Sequence, residues 1–72
     1  MNGFIITCYT SEKAELISAL TRVRNVESVV DGGVCRYCRE CSQVHIETTM
    51  TLEQVEDWLW QNSYGVGVVN KK

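Results

Sequence analysis

The sequence has no proline and no excess of basic residues: seven Lys and Arg stand against nine Asp and Glu, a net charge of -2. The missing proline, in a chain that is 44% hydrophobic and 22% charged, argues for an ordered globule rather than a disordered tail. The missing basic excess argues against a nucleic-acid ligand, whose binders usually advertise positive charge. No apolar run approaches the ~20 residues that span a bilayer. The opening stretch Met1 to Ile6 lacks a basic segment followed by a long apolar one, so no secretory leader is expected and the expected compartment is the reducing cytoplasm.

Signs of catalysis are equally scarce. Gly32-Gly33 reads as a turn, and Gly65-Val66-Gly67 is too sparse for a dinucleotide-binding fingerprint. The sole histidine, His45, shares a strand face with Glu47 but has no serine or cysteine nucleophile placed beside it. The chain is therefore read as non-enzymatic, with no small-molecule substrate evident. With no internal repeat, low-complexity segment or linker, residues 1–72 read as a single domain. A domain of this length buries only about 60% of the surface its unfolded chain exposes, and such domains often draw stability from a metal, disulfides or a partner.

What the sequence does have is cysteine. Cys35, Cys38 and Cys41 recur every third residue in the middle of the chain, with Cys8 apart from them near the start. In a reducing compartment such cysteines are metal ligands, reactive thiols or buried apolar residues sooner than a disulfide framework. Two residues between successive cysteines let thiolates converge on one tetrahedral Zn²⁺ at about 2.3 Å. The same spacing serves a set of free or redox-active thiols. It also matches the start of the bacterial ferredoxin cluster motif, whose fourth cysteine and following proline are missing here.

Taken in order, residues 3 to 10 are rich in β-branched and aromatic side chains and predict a buried central strand, with Phe4, Ile6 and Cys8 on one face and Ile5, Thr7 and Tyr9 on the other. Ser11 reads as the N-cap of an amphipathic helix over residues 12 to 24 carrying Leu16, Ala19, Leu20 and Val23. Residues 26 to 30 predict a short strand stopped by Asp31-Gly32-Gly33. Residues 43 to 49 alternate cleanly, placing Val44, Ile46 and Thr48 on one face and Gln43, His45 and Glu47 on the other. Thr51 and Gln54 fit a capping box for a second helix over residues 52 to 62, residues 64 to 69 predict a last strand, and residues 70 to 72 a polar tail.

The order strand, helix, strand, strand, helix, strand resembles the ferredoxin-like βαββαβ plait, an α+β fold with an antiparallel sheet of order 4-1-3-2 and both helices on one face. That fold hosts many unrelated functions. In it, the hairpin tip between the second and third strands lies at the end of the sheet where the first strand finishes, which brings Cys8 toward the cysteine loop. Two fourth ligands within the chain are then open, and a water or a partner group could fill the position instead. His45 completes Cys-x2-Cys-x2-Cys-x3-His, but four residues of straight strand from Cys41 would span ~13 Å, so the loop would have to fold back. Cys8 is topologically near but shares the face of Phe4 and Ile6, where a free cysteine behaves as a small hydrophobe. Copper chaperones are similar in length and topology, yet carry Cys-x-x-Cys after the first strand, where this chain has Tyr9-Thr10-Ser11.

Arg36, Tyr37 and Arg39 interleave with the cysteines. They could offset the charge of metal-bound thiolates, or present cations and a stacking ring to single-stranded RNA as a zinc knuckle does. RNA-recognition motifs use the open face of a similar sheet, with aromatics on their central strands; Tyr9 is the aromatic of that set here. Trp60 falls on the helix face of Glu53, Glu56 and Asp57, opposite Leu52, Val55 and Leu59, and reads as a protein-contact anchor or as a residue folded back over the sheet edge. The expectation is a zinc-binding adaptor or inhibitor acting on a macromolecular partner, a protein ahead of RNA, with an RNA-binding accessory factor and a thiol redox or metal-handling protein as alternatives.

Overall fold

Alternating side chains dictate the centre of the molecule. A computed structural model describes residues 1–64 and 67–71. Strand β1 (Asn2–Tyr9) buries Phe4, Ile6 and Cys8 to 2% exposure or less, and β3 (Cys41–Thr48) buries Ser42, Val44, Ile46 and Thr48. The two pair antiparallel from Asn2 opposite Thr48 to Tyr9 opposite Cys41. Strands β2 (Val26–Val34) and β4 (Gly67–Asn70) complete an antiparallel sheet of order β2-β3-β1-β4, so β2 and β4 are the edges. Of the expected last strand, Tyr64 lies outside β4, and Gly65 and Val66 lie outside the described residues.

Helices α1 (Lys13–Thr21) and α2 (Leu52–Gln61) follow β1 and β3 respectively, giving an α+β chain. Leu16 and Leu20 of α1 and Val55 and Leu59 of α2 join one core with Phe4, Ile6, Val44 and Ile46, so both helices cover the same face of the sheet. None of the described helices is long and apolar enough to cross a membrane.

Helix α2 has the expected capping box. Gln54 N–H donates to the Thr51 hydroxyl at 3.2 Å, and Thr51 N–H donates to the Gln54 side-chain oxygen at 2.9 Å. At its other end Ser63 takes φ +62°, the left-handed region, and Ser63 and Tyr64 N–H groups donate back to the Trp60 and Leu59 carbonyls at 3.2 and 2.9 Å. This Schellman-type closure turns Tyr64 under the helix, where its ring stacks on Trp58 with centroids 6.0 Å apart.

Helix α1 ends at Thr21 rather than at residue 24, β3 starts at Cys41 rather than at residue 43, and Asn70 belongs to β4 rather than to a polar tail; two further boundaries differ from expectation for local reasons. Helix α1 begins at Lys13, after a single 3₁₀ turn over Thr10–Glu12, and its N-cap Glu12 makes no side-chain capping bond. Ser11 is not the cap. The second difference lies in β2, which is not stopped at Asp31-Gly32-Gly33 but runs on to Val34, opposite Ser42. Between Asp31 and Val34 the register shifts, because Gly33 at φ +84° and Gly32 form a bulge rather than a turn. The Asp31 carboxylate accepts from Gly33 N–H at 2.8 Å and pairs with Lys13 at 3.2 Å, tying the bulge to the start of α1.

Candidate functional site

The hairpin tip lies between Val34, the end of β2, and Cys41, the start of β3. Cys35 N–H donates to the Cys41 carbonyl at 2.8 Å and Cys41 N–H to the Cys38 carbonyl at 3.2 Å, so the cysteines themselves close the loop. The tip is then clamped onto the end of β1. Thr10 N–H donates to the Glu40 carbonyl at 2.7 Å, and its hydroxyl donates to the Arg39 carbonyl at 3.2 Å. With that proton committed, the Ser42 hydroxyl, 2.8 Å away and fully buried, is the donor to Thr10 Oγ1. Sequence reasoning missed this role of Thr10. The only signal was a run of small hydroxyl residues after a strand, which reads equally well as a helix cap.

The clamped tip carries three thiols. Cys35 and Cys41 are half-buried and Cys38 is exposed; all are free. The Cys41 thiol is pushed above its ordinary value, first by its hydrogen bond with the Cys38 sulfur, then by burial and by the nearby Cys38, Cys35 and Glu40 charges. Crowded thiols resist becoming thiolates unless a cation shares the site. Even so, among the described residues no group of three or more His, Cys, Asp or Glu side chains is arranged to hold a metal ion.

Neither candidate fourth ligand joins the tip. Cys8 sits opposite Ser42 and, by alternation, points to the helix side while Cys41 points to the other; it is 2% exposed, and burial pushes its thiol up. His45 lies four residues along an unbroken β3 from Cys41, a separation of ~13 Å. Its ring instead packs on the β2 bulge, where a Cβ added to Gly32 would meet the His45 Cδ2 and Nε2 atoms at 2.8 Å. His45 Nε2 is buried and meets no hydrogen-bond partner among the described residues.

The same end of the sheet collects exposed aromatic rings. Tyr37 at the tip is 91% exposed, Tyr9 at the end of β1 is 50%, and Trp60 near the end of α2 is 82%. Tyr9 and Trp60 line one shallow cavity of about 330 Å³ with Glu12, Ser63 and Tyr64. Trp60 is not folded back over the sheet; Trp58, two residues earlier, is the one packed against the core. Arg36 and Arg39 are exposed, and the ion pairs among the described residues, Lys13–Asp31 and Lys71–Glu47, do not involve them.

No family model, no curated protein and no solved structure matches the chain.

Proposed function

We propose that this chain is a small non-enzymatic cytoplasmic adaptor or inhibitor that docks the tip end of its sheet on a protein partner, with a zinc ion held by Cys35, Cys38 and Cys41 stiffening that end. The observation that supports the reading is that the tip carrying Cys35, Cys38 and Cys41 lies at the end of the sheet that also exposes Tyr9, Tyr37 and Trp60. Exposed aromatic rings are disproportionately the anchors of protein interfaces. Zinc would relieve the crowding that holds the Cys41 thiol up. Its fourth ligand would come from water or from the partner, since Cys8 and His45 sit elsewhere. Arg36 and Arg39 would offset the charge of three thiolates around the ion.

We further infer a ferredoxin-like plait. Support comes from the element order β1, α1, β2, β3, α2, β4 and from the strand order, which counted from the β4 edge is β4-β1-β3-β2. The RNA reading has less behind it, because on the open face of β1 and β3 the rings are Tyr9 and a His45 packed on the β2 bulge, and the net charge is negative. The redox reading is favoured by the spacing of Cys38 and Cys41 on one short loop, where the Cys38 sulfur is the first cause that raises the Cys41 thiol.

Native mass spectrometry of protein purified without chelator tests the metal. A mass increment of one Zn²⁺ and a melting temperature lowered by EDTA are expected. A metal-free mass with four free thiols and an EDTA-insensitive transition removes zinc from the reading. After treatment with glutathione disulfide, which is reduced to two glutathione thiols, a mass lower by two hydrogen atoms that is absent in Cys38→Ser moves it to the redox reading.

A further inference from the structure

Between α2 and the edge strand β4 lies a groove of about 500 Å³ that the tip does not reach. Its floor is Leu59, Tyr64 and Val68, and its outer wall is a single face of α2. Residues spaced three and four apart share a helix face, so Glu53, Glu56, Asp57 and Trp60 form one stripe. Helix α2 contains no Lys or Arg, and neither ion pair among the described residues involves those three carboxylates. Like charges at these spacings repel one another, and on the helix itself only Glu53, in the first turn, is favoured by the helix N-terminus. One turn past Glu56, the Trp60 indole stands 82% exposed over the groove. The groove therefore combines an apolar floor, an anionic wall that makes no ion pair among the described residues and an exposed π face.

That combination selects its occupant by charge complementarity. A guanidinium stacks flat on an indole and forks to carboxylates, whereas an ammonium is a compact and strongly hydrated point charge. We propose that the α2–β4 groove binds an arginine-bearing segment of a partner protein, the guanidinium lying on Trp60 between the Glu56 and Asp57 carboxylates while the segment's apolar atoms cover Leu59, Tyr64 and Val68. This deepens the adaptor reading by giving the partner a chemistry, and it rests on that reading only in taking the ligand to be a protein.

The test uses the full chain and a capped hexapeptide of alternating arginine and glycine, with glutamate–glycine and lysine–glycine peptides as comparisons, read by the Trp60 indole N–H resonance assigned through Trp60→Phe. A saturable shift is expected with the arginine peptide, a weaker one with lysine and none with glutamate. The triple variant Glu53→Gln/Glu56→Gln/Asp57→Asn should weaken binding about tenfold or more, and added salt should weaken it further. All three sites are exposed, and the spread of the amide spectrum verifies that the variant is folded. No saturable shift, or equal affinity in the triple variant, overturns the proposal. So does a concentration-dependent Trp60 shift without peptide that disappears in Arg36→Ala/Arg39→Ala, because the groove would then be occupied by the tip of a second copy. Tyr37→Ala should leave peptide binding unchanged, so failure of the tip reading and failure of the groove are told apart.

Discussion

The two faces of the central strands β1 and β3 are made from adjacent residues and have opposite fates. On one face Phe4, Ile6, Val44 and Ile46 are at most 1% exposed beneath both helices. On the other, register places Val30, His45, Ile5 and Val69 in one row across all four strands, and Val30 and Val69 remain more than half exposed. A strand assigns neighbours to opposite faces whatever their hydrophobicity, so an apolar residue stabilises only where a second layer exists to cover it. Here stability is concentrated on the covered face, and the open face, the tip and the α2–β4 groove are left free for contact.

The sharpest break of that contrast is Phe4→Ala against Val69→Ala. Loss of the buried ring should cost about 3–5 kcal/mol, enough to unfold a domain of marginal stability, whereas the exposed valine should cost within about 0.5 kcal/mol. Urea titration followed by circular dichroism distinguishes them, and comparable losses would mean that the open face is covered after all. Next in size is Gly32→Ala on the open face. The new Cβ would lie 2.8 Å from the His45 ring and 2.9 Å from the Gln43 carbonyl oxygen, so a loss of about 1–3 kcal/mol is expected. Adding His45→Ala should recover part of it and not all, because the carbonyl contact belongs to the backbone.

A smaller change runs in the opposite direction. Ser63→Gly relieves a left-handed residue at the end of α2 and should stabilise by about 0.5–1 kcal/mol, less the entropy that glycine adds to the unfolded chain. An unchanged or lowered melting temperature would mean that the serine side chain has a role of its own. The smallest effect concerns Asp31, whose carboxyl is held below its ordinary value by the Gly33 N–H and by Lys13. A depressed carboxylate stabilises the fold above the ordinary aspartate range, and that contribution is lost as pH falls through the lowered value. The gap in melting temperature between wild type and Asp31→Asn should therefore be present at neutral pH and close on acidification; a pH-independent gap would assign it to the side-chain amide instead.

Much of the sheet was legible in the sequence because period-two alternation fixes which side chains are buried, and it placed Phe4, Ile6, Cys8, Val44, Ile46 and Thr48 together. The start of α2 was legible because Thr51 and Gln54 satisfy each other's backbone locally. The Gly32-Gly33 bulge was not, since glycines that tolerate positive φ serve a turn or a bulge equally, and only continued pairing of Val34 with Ser42 distinguishes them. The left-handed Ser63 gave no compositional sign. For the candidate site, the grouping of Cys35, Cys38 and Cys41 on one loop was visible in their spacing. The separation of Cys8 and His45 from that loop follows from an unbroken β3 starting at Cys41, a boundary the sequence expectation placed two residues later.

Thr10 gives the tip a clasp with a built-in reporter. Its amide and its hydroxyl both belong to the hairpin tip, while the residues on either side belong to β1 and to the turn that opens into α1. The tip cannot lift without exposing the Thr10 amide to solvent, yet the rest of β1 can stay paired when it does. Hydrogen–deuterium exchange at that one amide therefore counts openings of the tip separately from unfolding of the sheet, and any ligand that seats on the cysteines will register there as slowed exchange.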